Sequence, residues 1–241
     1  MNPYFPLDNH FNNLYGEIGE TIKQLYPIGL ARETNEYKEH LGIKSVMKVF
    51  EENGFHNAKF NKPWKEFLKK IKFGTKKKIH NISYLTNPSF SGELILERYN
   101  DDALCRVKKI VFSVSQVAHF FTIYGVDETY IKEKEKPSLN GYHAINVITE
   151  SPYSEFESSF KNIHTAIAAH FVEYKFVPIR ASLYTVKDLQ TPYSDLHECS
   201  IHNALFDNSF DYQQVRFFRG EMFYGAPRSN IDVVLLPPPV V

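Results

Sequence analysis

The residues with the most chemical potential lie in Asp195–Asp207, DLHECSIHNALFD, where two histidines, a cysteine and acidic groups share one short stretch. Three readings compete for it. As a metal site, His197 and His202 would be ligands with Cys199 between them. As a nucleophile, Cys199 would act with His197 as its base and Asp195 as the orienting acid. As architecture, Leu196–Ile201 would be a strand with Cys199 and Ile201 packed inward.

Spacing decides among them. The zinc-protease pentamer HExxH sets its histidines four apart on a helix, about 40° from eclipsed, so both reach one ion. In HECSIH the separation is five, which spreads His197 and His202 by about 140° around a helix axis. A strand also fails, because side chains alternate and His202 falls on the face opposite His197 and Cys199. The thiol reading meets a different obstacle. Along a strand Asp195, His197 and Cys199 share one face in a line, about 6–7 Å apart, too far for direct hydrogen bonds. Triads instead draw their members from separate elements that converge. The architectural reading is therefore the expected one, with no metal and no cofactor. His197, Cys199 and His202 remain the residues an enzyme with scattered His or Cys groups would use.

Other catalytic patterns are missing. FGTKKK lacks the GxxxxGK[ST] spacing that cradles phosphates, YGEIGE lies inside a helical pattern, and there is no GxSxG elbow. Asp101-Asp102, Asp127-Glu128 and Glu155/Glu157 are paired acids with turn or helix-start explanations. Lys65, Lys69, Lys70, Lys72, Lys76, Lys77 and Lys78 form a basic run opposed by Glu66, but it contains no arginine, the better reader of bases. It reads as the solvated face of an amphipathic helix.

Near the C-terminus, QVRFFRGEMFYG mixes arginine with aromatic residues, the combination that dominates interface hot spots. Arg216, Phe217, Phe218, Arg219 and Tyr224 are the expected binding residues. The last nine residues, 233–241, carry no charge and three prolines, so they should dock in a groove of their own chain, or else in that of a second copy to make a homo-oligomer.

These groups need elements to hold them. Asn13–Tyr26 and Thr34–Asn53 show helical spacing, with Gly42 as a break in the second and Gly54 as its cap. PWKEFLKKIKFG opens on Pro63, closes at Gly74 and presents Trp64, Phe67, Leu68 and Ile71 on one face. From Lys78 onward β-branched and aromatic runs predict strands: IHNISYL, GELILERY, CRVKKIVFSVS, VAHFFTIYGVDETYI and YHAINVITE. Asn100-Asp101-Asp102 suits a hairpin turn. Pro152–Phe171 predicts a long helix on the stripe Phe156, Phe160, Ile163, Ile167 and Phe171, followed by a strand through VEYKFVPIRASLYTV broken at Pro178. The fold class is α+β: a helical N-terminal region packed on a mostly antiparallel sheet, with one long helix in the second half. Residues 1–241 read as one domain, with a helical subregion 1–75 and a sheet-rich subregion 76–241.

Composition bounds the function. The 241 residues carry 28 basic and 28 acidic groups, so there is no global field to attract nucleic acid or an anionic membrane. The richness in Lys, Asn, Ile, Phe and Tyr suits an AT-rich bacterial genome. The first residues show no basic stretch followed by an apolar run, and two distant cysteines, Cys105 and Cys199, fit a reducing compartment. The expectation is a cytoplasmic, non-catalytic protein that binds another protein, of the antidote or immunity kind. The alternative is a hydrolase-like enzyme.

Overall fold

The computed structural model describes residue 5 and residues 14–55, 61–75, 77–132, 140–207, 215, 217–222 and 224–225. The chain is α+β, with N-terminal helices followed by a mixed, mostly antiparallel sheet of seven strands among the described residues.

The centre of the sheet is β4 (Phe120–Lys132), bonded along both edges. Antiparallel β3 (Leu104–Ser115) runs along one edge. The other edge is divided: two residues pair in parallel with β6 (Lys175–Phe176), and Gly125–Lys132 pair antiparallel with β5 (Asn140–Thr149). Beyond β3 lie β2 (Ser89–Asn100) and the short edge strand β1 (Ile79–Asn81), and beyond β5 lies β7 (Phe218–Arg219). The β2–β3 turn forms because the Asp101 carboxylate accepts from the backbone N–H groups of Ala103 and Leu104, both at 2.8 Å.

Strand alternation splits the interior in two. Leu94, Ile110, Phe112, Phe121 and Ile123 point to one face, where α4 (Lys62–Thr75) supplies Trp64, Phe67 and Ile71. On the same face α5 (Glu157–His170) supplies Phe160, Ile163 and Ile167. A 3-10 turn, Ser154–Phe156, leads into α5 and seats the Phe156 ring over Gly125, where a Cβ would lie 2.6 Å from ring carbon Cδ1. Val111, Tyr124, Val126, Ile145 and Ile148 point to the opposite face and meet Ile179, Leu183 and Val215.

A further core joins the chain's two ends. Leu14, Ile18 and Ile22 of α1 (Leu14–Leu25), Tyr37 of α2 (Asn35–Glu39), and Ile43 and Val46 of α3 (Leu41–Phe55) pack against Val177, Val186, Leu189, Cys199 and Leu205. Two tyrosine hydroxyls secure this junction. Tyr26 and Tyr193 both donate to the carbonyl of Ala204, at 2.7 and 2.8 Å, satisfying an end carbonyl of α7 (Ile201–Leu205).

Several local expectations change. His40, in extended backbone, separates α2 from α3. Gly42 instead marks where α3 approaches α1, since a Cβ there would lie 2.2 Å from the Gln24 carbonyl oxygen. The helix containing Gly54 runs on to Phe55, and α4 runs one residue past Gly74. The strand expected across Pro178 stops at Phe176, because Pro178 starts the short helix α6 (Ile179–Ser182) and β5 occupies the remaining edge of β4. No helix of the described residues is long and apolar enough to cross a membrane.

Gly125→Ala tests the seating of Phe156. The ring is fully buried and cannot swing aside, so the added methyl should destabilise the fold by about 1–3 kcal/mol, read as a lower urea midpoint. An unchanged midpoint would show that the turn relaxes freely.

Candidate functional site

The structure does not gather HECSIH into a site. Leu196–Cys199 is a loop rather than a strand, and Ser200 caps α7 by accepting from the Asn203 N–H at 3.1 Å while Asn203 Oδ1 accepts from the Ser200 N–H at 2.9 Å. The cap wins over the strand because only Thr185 bridges to Ser200, leaving no ladder to extend. Cys199 and Ile201 do point inward and are fully buried. His197 is exposed, while Asp195 reaches back to Arg32 at 3.0 Å. Burial pushes the Cys199 thiol above its ordinary value, although a contact with Thr191 Oγ1 at 3.7 Å opposes the shift. His202 lies in the core, its Nδ1 3.0 Å from Ser182 Oγ, and burial pushes its imidazole well below the usual histidine value. Among the described residues, no three His, Cys, Asp or Glu side chains are placed to hold a metal ion.

The C-terminal binding set divides by strand alternation. Phe218 turns to the inner side, where the Arg180 guanidinium stacks 4.6 Å from its ring centroid. Arg180 is itself held by buried Glu150 through two hydrogen bonds of 2.7 and 2.6 Å. Arg219 turns the opposite way, donating to Thr149 Oγ1 at 2.8 Å and to Glu155 at 2.7 Å. Phe217 shares the Arg219 side of β7 and is 66% exposed. Tyr224 packs into the core against Phe160, His164 and Phe176. Arg216 and the tail 233–241 lie outside the described residues.

The larger exposed surface is one that the sequence did not single out. On the face carrying α5, the sheet continues past Phe156 with no helix of the described residues over it. First comes a charged row. Lys108 bridges Glu97 and Glu155, each at 3.3 Å, and Arg106 grips Asp127 with two hydrogen bonds of 2.9 and 2.6 Å. Asn146 ties Asp127 to Thr129. Next come cross-strand neighbours on the same face: Tyr99 opposite Arg106, and Leu104, Ile131 and Tyr142 in adjoining strands. Tyr99 is 57% exposed, Ile131 48% and Tyr142 51%. Glu97, Tyr99, Leu104, Arg106, Lys108 and Thr129 line a groove of about 460 Å³.

The opposite face carries a second polar array. His80, Glu93, Lys109, Glu128 and His143 make successive contacts of 2.8, 3.1, 2.6 and 3.2 Å across five strands. Burial alone would raise the Glu93 carboxyl and lower the Lys109 ammonium. Their partners reverse both shifts, leaving Glu93 below and Lys109 above its ordinary value. Each charge is answered within the array, which suits a cross-sheet clamp.

The chain matches no protein-family model, no curated protein and no solved structure. Its function is therefore read from its own surface.

Glu155 links the turn before α5 to this surface, and its titration is testable. Partial burial opposes its charge, but Arg219, the Ser154 hydroxyl and its own backbone outweigh that and bring its carboxyl down to about 2. A depressed carboxylate contributes stability above its unfolded value, and that contribution is lost as pH falls through the folded value. Glu155→Gln should lower stability at pH 7 and flatten the acid loss between about pH 4.5 and 2, measured by urea unfolding across that range. A wild-type slope in the variant would assign the acid loss to other groups.

Proposed function

We propose that this chain is a non-catalytic protein-binding protein, an antidote or immunity-type protein that neutralises one partner by holding it on the bare end of its sheet. The observation that carries the reading is the row of exposed Tyr99, Ile131 and Tyr142 with half-buried Leu104 beside Arg106, carried on strands rather than on loops. Tyrosine and arginine anchor interfaces because they bury large areas with few rotatable bonds and keep a polar end for hydrogen bonding. A rigid sheet presents them with little ordering cost. The neighbouring charges are already paired, so they make a polar rim without leaving a lone ion to desolvate under a partner.

Phe217 extends the same face towards the sheet edge, and Tyr153, 50% exposed near Arg219, lies beside it. Two of the five C-terminal residues thus contribute to the binding reading, one as an exposed ring and one as the ion that holds the edge. The free thiols Cys105 and Cys199 suit action in the cytoplasm.

Affinity capture with the tagged chain from extract of its own cells, followed by intact-mass analysis, tests the reading. One stoichiometric protein should co-elute and should be toxic when produced without this chain. Tyr99→Ala combined with Tyr142→Ala should weaken the complex by about 30-fold or more, with a smaller loss for Phe217→Ala. Absence of a stoichiometric partner, or an affinity indifferent to the tyrosines, would overturn the proposal.

A further inference from the structure

The zero net charge of the chain conceals a strong local asymmetry. Residues 62–78 contain eight of the 28 basic residues and one of the 28 acidic ones, so the remaining chain has 20 basic against 27 acidic groups. The structure shows how these lysines are displayed. Trp64 and Phe67 are fully buried and Ile71 nearly so, which turns Lys65, Lys69, Lys70 and Lys72 to the outer side of α4. None of these four makes an ion pair among the described residues, and the nearest acid on the helix, Glu66, faces Lys62 at 4.0 Å.

Several cations elsewhere are answered, although Lys38, Lys48 and Lys187 are exposed as well. Arg106, Lys108, Lys109, Arg180 and Arg219 each contact a carboxylate. The lysines of α4 also stand where they oppose the helix. Lys65 and Lys69 are one turn apart and repel, and the first turn holds no acidic residue to complement the helix dipole. A face kept charged against its own helix suits an anionic counterpart outside the chain.

We infer that the outer face of α4 docks an acidic surface of a protein partner. The inference rests on the protein-binding reading and names the charge of the partner. The strip and the tyrosine row share one strand: α4 leads through Lys77 and Lys78 into β1, which pairs with Gly92–Leu94 of β2, and Tyr99 lies five residues further along that strand. A compact acidic patch fits better than an extended polyanion, since the rest of the chain carries 20 basic against 27 acidic groups and opposes a large anionic surface. Trp64 and Phe67 are buried and cannot stack on bases or enter lipid, and α4 contains no arginine.

The test compares three probes by fluorescence anisotropy and co-sedimentation: a labelled poly-L-glutamate peptide, a 20-base-pair DNA duplex, and phosphatidylcholine vesicles containing phosphatidylserine. The wild type should bind the glutamate peptide most tightly and lose affinity as salt rises. The variant K65Q/K69Q/K70Q/K72Q should weaken that binding by about tenfold or more and flatten its salt dependence. K38Q/K44Q/K48Q/K187Q removes the same charge from other exposed positions and should stay within about twofold of wild type. Equal losses in the two variants, no binding of the glutamate peptide, or tighter binding to DNA or vesicles would each overturn the inference. The tyrosine variants separate the two ideas: a captured partner sensitive to Tyr99 and Tyr142 but indifferent to the α4 lysines sinks the acidic-surface inference and leaves the binding reading standing.

Discussion

The structure depends on β4 being enclosed on both faces for most of its length and bare at one end. Nine consecutive residues, Phe120–Glu128, are buried, although their side chains alternate between opposite directions. That is only stable because α4 and α5 cover one face and Ile179, Leu183 and Val215 cover the other. Burial lapses from Thr129 onward, where both edges remain hydrogen-bonded but the helical layer has ended. The same strand therefore anchors the cores and carries the exposed row.

Length explains where the cover stops. The 13 residues of β4 extend about 43 Å, whereas the 14 residues of α5 rise only about 21 Å. A helix laid along such a strand leaves roughly half of one face open unless another element fills it. The Phe156 ring over Gly125 marks the boundary, and the paired charges of Lys108, Arg106, Glu155 and Asp127 form the transition from packed interior to exposed apolar row. Pairing matters here because these groups stand beside apolar surface, where an unanswered charge would be costly to shield from water.

Several other polar groups are satisfied locally. His202 meets Ser182 inside the core, Ser200 caps α7, and the His80–His143 array balances two carboxylates around Lys109. Of the residue types that suggest chemistry in one dimension, Cys199 and His202 are taken into the core while His197 stands exposed. Cys199, which sits between two histidines in sequence, is separated from them because His197 projects to solvent while the thiol and His202 point to different parts of the interior. The lysines of α4 are the contrast, with four ammonium groups that make no ion pair among the described residues.

By itself the sequence determined the class of the fold, most of its elements and the inward faces of its helices. Helical spacing in Trp64, Phe67 and Ile71, and in Phe160, Ile163 and Ile167, could only be satisfied by burial on one side. Most of the β-branched runs pair as strands, although the run through Pro178 turns to helix, and spacing alone spoke against HECSIH as a metal site. Phe217 was visible as an exposed-type aromatic beside arginine, but its separation from inward-facing Phe218 required the pairing of β7 with β5. The row Tyr99, Leu104, Ile131 and Tyr142 was not legible at all. Its members come from four strands, and their exposure depends on where a helix from another part of the chain happens to end. Periodicity reports which side of an element each residue faces; only tertiary packing decides whether that side is covered.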